Sequence, residues 1–129
     1  MDTMIVRVAA SRSSASIGDA RVRARAFIDC LAPSIGAEAA ENVVLVLSEL
    51  VTNALRHAGG SCTLDLTAHP DSIEVAVHDP SPQPPSMRTP GLTRGTGGFG
   101  WPLVNRLAHA TQVTDSPGGG KTVRAFLPG

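Results

Sequence analysis

The chain has 129 residues, with eleven Lys and Arg balancing eleven Asp and Glu and no net charge when histidine is neutral. This length fits one domain that buries roughly two thirds of the surface exposed by its unfolded chain. The charge balance excludes a general electrostatic grip on nucleic acid, and a chain with no Tyr, three Phe and one Trp has no platform for stacking single-stranded bases.

Residues 4–10 alternate and are β-branched, which predicts a first strand, and residues 11–16 form a polar turn. Ala20, Ala24, Phe27, Ile28 and Leu31 then recur at helical spacing, with Arg21, Arg23 and Arg25 mostly outward. This predicts an amphipathic helix over 17–31, opened by Ser16 as N-cap. Pro33 and Gly36 break it. A longer helix is expected over 37–58, with a stripe of Leu47, Leu50, Val51, Ala54, Leu55 and Ala58, ended by Gly59 and Gly60. Glu49 and Asn53 stand four apart and stack on one side of it, and His57 continues the line by another turn. A carboxylate, an amide and an imidazole on one ridge are, taken alone, an ordinary solvated face.

Residues 61–67 and 73–79 alternate on either side of turn residues His69, Pro70, Asp71 and Ser72, predicting an antiparallel hairpin that ends in Asp79. Residues 80–98 have no periodicity and many prolines and glycines, as a lid or binding loop does. The loop runs into Gly95-Thr-Gly-Gly-Phe-Gly100, and Trp101-Pro102 opens a further helix with Leu103, Val104, Leu107 and Ala108 as its apolar face. Residues 111–114 and 122–127 read as two last strands joined by a glycine-rich turn. The order β-α-α-β-β-loop-α-β-β lacks regular β-α-β alternation. The expected class is α+β: a two-layer sandwich, its sheet mixed but mainly antiparallel, with the helices on one face.

Cys30 and Cys62 are the only cysteines. They lack metal-ligand spacing, set no disulfide framework and read as buried free thiols. No stretch approaches a membrane span, and the first ten residues lack a basic leader followed by a long apolar run, so a cytoplasmic protein is expected.

The glycine-rich loop before a helix is the strongest isolated chemical signal. Backbone N–H groups at a helix N-terminus attract phosphate, and Gly98 and Gly100 allow close approach. The plainer alternative is a loop that merely closes on a helix. Gly95-x-Gly97-x-x-Gly100 matches the dinucleotide fingerprint in spacing, but no strand precedes it, since Met87-Arg-Thr-Pro-Gly-Leu-Thr-Arg94 stands there. Gly120-Lys121-Thr122 has the ending of a P-loop, but Asp115 occupies the required upstream glycine position and no helix follows.

Taken together, the pieces fall in a familiar order. The chain resembles the ATP-binding domain shared by gyrase, the Hsp90 chaperone, histidine kinases and mismatch-repair proteins. It is closest to the single-domain anti-sigma-factor serine kinases of actinobacterial type. Ser48-Glu-Leu-Val-Thr-Asn-Ala-Leu-Arg-His-Ala58 looks like that branch's N box, Gly97-Gly-Phe-Gly-Trp-Pro-Leu-Val104 like its second glycine box, and Gly119-Gly-Lys-Thr-Val123 like its terminal strand motif. The resemblance spans essentially the whole chain, 1–129 being one such domain with a lid-like loop at about 80–97.

The resemblance implies ATP and Mg²⁺ as cofactors and a protein serine/threonine kinase activity. It implies that Asn53 binds the Mg²⁺ bridging the ATP phosphates, a neutral oxygen donor suiting a hard cation that keeps several waters. Glu49 would orient or deprotonate the attacking nucleophile. Asp79 would accept the adenine amino group and Thr122 would support the adenine site through its hydroxyl. Gly98, Phe99, Gly100 and Trp101 would line the phosphate end, and His57 would lie along the same ridge. The implied partners are a sigma factor and an antagonist protein, without direct nucleic-acid or membrane contact, and relatives of this kind form homodimers. The first glycine box departs from the family's pattern: Asp79-Pro-Ser-Pro-Gln83 keeps the Asp and neither glycine. That departure supports an alternative of another class, a partner-binding module of the same fold without catalysis.

Overall fold

The computed structural model of the chain describes residues 2–9, 16–31, 35–57, 61–79, 100–115 and 119–128. Its elements are β1 (Asp2–Ala9), α1 (Ile17–Asp29), α2 (Ala37–His57), β2 (Ser61–His69), β3 (Ser72–Asp79), α3 (Gly100–Leu107), β4 (Ala110–Asp115) and β5 (Lys121–Pro128). Each element of the sequence reading is present, and the boundaries differ from it by at most two residues at either end. The strands form one sheet in the order β1-β2-β3-β5-β4. Each neighbouring pair is antiparallel, so no parallel pairing remains of the expected mixed sheet among the described residues.

Register decides which face is buried. Val6, Leu64, Val77 and Val123 lie opposite one another across four strands, and Met4, Leu66, Val75 and Ala125 form the next row. Side chains alternate along a strand, so these rows share one face. They form much of the sheet's side of the core; Val43, Val46, Leu47, Leu50, Val51 and Ala54 of α2, with Ala20, Ala24 and Ile28 of α1 and Val104 of α3, supply the helix side. The helix α2 packs across β2, β3 and β5, with α1 against β1 and α2, and α3 against α2 and β5. The opposite face carries Asp65, Glu74, His78 and Arg124, which pair with one another or with neighbouring side chains instead of packing on helices.

Local chemistry sets the ends of these elements. Ser16 accepts a hydrogen bond from the Asp19 backbone N–H and caps α1 as its sequence position implied. Two links hold α1 to α2. Arg21 Nε donates to Ser48 Oγ at 2.8 Å, and Arg25 pairs with Glu41 at 3.0 Å. Gly119 and Gly120 adopt φ of 96° and 83° just before β5, a left-handed backbone that glycine adopts without strain. No helix among the described residues is long and apolar enough to cross a membrane.

One expectation is corrected here. Cys62 is buried, but Cys30 is exposed. It is the C-cap of α1. It stands two residues beyond buried Ile28, about 200° round a helix from the stripe that packs inward.

Candidate functional site

The ridge on α2 is held from both sides. Leu47, Leu50, Val51 and Ala54 are buried and fix one face of the helix in the core. Ser48, beside Glu49, is buried; its hydroxyl accepts from Arg21 and donates to the Val44 carbonyl at 2.7 Å. Glu49 and Asn53 therefore sit one turn apart on a fixed segment, both half-buried. Glu49 belongs to none of the ion pairs among the described residues. His57 is the last residue of α2; its side chain lies outside what the structure describes.

Asp79 ends β3 and Lys121 begins β5, directly opposite each other. Asp79 shares the parity of Val75 and Val77, and Lys121 that of Val123 and Ala125, so both point into the helix-covered face. Lys121 Nζ lies 3.1 Å from Asp79 Oδ1 and 3.0 Å from Oδ2, with only 3% and 2% of the two side chains exposed. Charges this deep persist only as partners, because separating them leaves an uncompensated ion in the core. Cys62 on β2 feels the same carboxylate. Burial first, and then the negative charge of Asp79, raise its thiol pKa to about 11.

Thr122 does not share a face of the sheet with Asp79. It lies opposite His78, on the other face of the sheet. Its Oγ1 is 2.7 Å from His78 Nδ1, and His78 Nε2 is 3.0 Å from Asp65 Oδ2. The residue that shares a face with Asp79 is Lys121, which the sequence reading did not assign to the site. A signal for it was present: Val123, Ala125 and Leu127 alternate as the buried side of β5, and Lys121 has their parity while Thr122 does not.

Beyond the glycine-rich stretch, α3 begins at Gly100, continues through Trp101, and is anchored by buried Val104. It hands over to β4 through a bond from the His109 backbone N–H to the Phe126 carbonyl at 2.8 Å. Gly98, Phe99 and the lid-like loop at 80–97 lie outside the described residues, as does the side chain of Trp101. Among the described residues no three His, Cys, Asp or Glu side chains cluster as a metal site. A cation here would take Asn53 from the protein and its remaining ligands from phosphate and water, a set that suits Mg²⁺.

A helix carrying Glu and Asn above a sheet, a buried Asp at a strand end and a glycine-opened helix make up this arrangement. A family model described as histidine kinase-like ATPase domain matches residues 12–126. The chain belongs to the histidine kinase-like ATPase domain family. The match takes in both long helices, the glycine-box helix and four of the five strands, leaving β1 ahead of it. No curated protein matches the chain. Within a histidine kinase-like ATPase domain, the buried Asp79–Lys121 pair is the feature to be explained.

Proposed function

We propose that this histidine kinase-like ATPase domain binds Mg-ATP and transfers the γ-phosphoryl group to a serine or threonine of a small antagonist protein. In the same reading it holds a sigma factor by direct contact and works as a homodimer. The observation that carries the reading is the pairing of Glu49 with Asn53, one turn apart and half-buried on the fixed segment of α2. Asn53 supplies an oxygen ligand beside the phosphates. Glu49 accepts the proton of the attacking hydroxyl and keeps it aligned with the phosphorus. Backbone N–H groups at the start of α3 face developing negative charge. Mg²⁺, when bound with the nucleotide, neutralises charge on the phosphate oxygens. Positioning and electrostatics rather than a covalent intermediate carry the rate.

The test has two stages. Calorimetry of Mg-ATP against the wild type and Asn53→Ala establishes whether nucleotide binds and whether it depends on α2. Transfer of labelled phosphate to candidate antagonist proteins, in the presence and absence of purified sigma factors, then tests the kinase. Stoichiometric transfer with a stable sigma-factor complex supports the proposal; nucleotide binding without transfer to any antagonist rejects the kinase. One observation favours a second reading. The Asp79 carboxylate is already engaged by Lys121, as it would be in a partner-holding module that performs no catalysis.

A further inference from the structure

Strand register, not a chance surface approach, brings Lys121 to Asp79. The two stand directly opposite each other on β5 and β3. Lys121 Nζ lies 3.1 Å from Asp79 Oδ1 and 3.0 Å from Oδ2, so one ammonium takes up both oxygens from the same side. Only 2% of the Asp79 side chain and 3% of that of Lys121 stay exposed, and each residue has a further interaction outside the pair.

A role for Asp79 in holding adenine needs this carboxylate to accept from the exocyclic amine. Two routes lead there. Displacing the ammonium strands a buried positive charge, which costs more than one hydrogen bond from a neutral amine returns. Leaving the ammonium in place requires the amine to reach a carboxylate with almost no open surface. Neither route suits a neutral purine, because its amine brings no charge to replace the one it would remove. The carboxylate is therefore committed to Lys121.

We infer that the Asp79–Lys121 pair is an autoinhibitory contact: it withholds the carboxylate from the base, so that a nucleotide is held without reading of its amine, and loss of the ammonium restores adenine recognition. The inference rests on the nucleotide-binding reading above, and its test separates the two. Calorimetry on the full chain compares Mg-ATP with the Mg complex of purine riboside triphosphate, the same nucleotide without its 6-amino group. The wild type binds the two within about tenfold of each other, whereas a site whose open carboxylate accepts from the amine rejects the analogue more strongly. Lys121→Met keeps an apolar stem and removes the charge; it tightens ATP by about tenfold or more and leaves the analogue where it was. A wild-type preference for ATP beyond about tenfold overturns the contact and leaves the ATP reading standing. A Lys121→Met protein that binds ATP no tighter than the wild type, or gains equally for the analogue, does the same. Binding of neither nucleotide by either protein removes the nucleotide reading and the inhibitory contact together. If Lys121→Met and Lys121→Thr do not fold, the wild type decides alone: matched affinities support the contact, and a preference for ATP or the absence of binding overturns it.

Discussion

In the kinase reading, a carboxylate and an amide one helical turn apart have separable tasks that substitution would separate. In the proposed kinase, Glu49 would act on the nucleophile and Asn53 on the metal-bound phosphates. Glu49→Ala is expected to lower the transfer rate by roughly 10² to 10⁴ with Mg-ATP affinity kept, because a general base acts only as the hydroxyl loses its proton. Asn53→Ala is expected to weaken Mg-ATP binding itself. Single-turnover rates beside calorimetric affinities read the two effects, and normal transfer by Glu49→Ala would sink its assignment. Cys62 gives a residue-scale prediction of another kind. Its folded pKa of about 11 lies above the ordinary value of 9.0. Between those values the unfolded thiol has lost its proton while the folded one keeps it, so the unfolded state binds fewer protons. Stability contributed by this site is whole below about pH 9 and falls as pH rises towards 11. Urea midpoints across that window should drop more steeply for the wild type than for Cys62→Ala. At mildly alkaline pH, alkylation should reach exposed Cys30 and spare Cys62.

At the scale of the element, periodicity decided what could be read in advance. The length of α2, the buried Leu47, Leu50, Val51 and Ala54 of its stripe and the adjacency of Glu49 to Asn53 are local consequences of a 3.6-residue repeat, and the structure shows them where the sequence placed them; Leu55 is half-buried and Ala58 lies outside the described residues. The strand alternation that marks the buried side of β5 also fixes which of two neighbours faces Asp79. The family motif drew attention to Thr122, but the side chain that faces Asp79 is that of Lys121. The ion pair itself was not legible, because its partners are 42 residues apart and meet only once β5 has returned beside β3. The same holds for Arg21 and Ser48, 27 residues apart. A direct test of parity follows. Thr122→Val removes a hydroxyl that bonds His78 on the face away from the helices. It should leave Mg-ATP affinity within about twofold, as changes away from a site usually do. A tenfold loss on calorimetry would return Thr122 to the residues that support the nucleotide.

For the molecule as a whole, one side of the sheet is committed to packing and the other to polar pairs. The core joins α2 to the inner face of β1, β2, β3 and β5. The outer face is laced by His78 with Asp65, and by Glu74 with both His69 and Arg124. Such half-exposed pairs add little stability each, so the fold depends on the single helix-covered core, and the candidate site is built into its rim. Asp79 and Lys121 close the end of that core between β3 and β5, and Glu49 and Asn53 ride on the helix that covers it. A ligand that joins these groups should therefore stabilise the entire fold rather than a peripheral loop. At a concentration about a hundred times its dissociation constant, Mg-ATP adds roughly 2.7 kcal/mol by linkage. For a chain of 129 residues this raises the melting midpoint by several degrees, more than about 5 °C. Glu49→Ala should show the same rise, because it keeps the nucleotide, and Asn53→Ala little or none at that concentration. A midpoint that stays still in saturating Mg-ATP, while a purified sigma factor raises it, would identify the partner-holding module and retire the kinase.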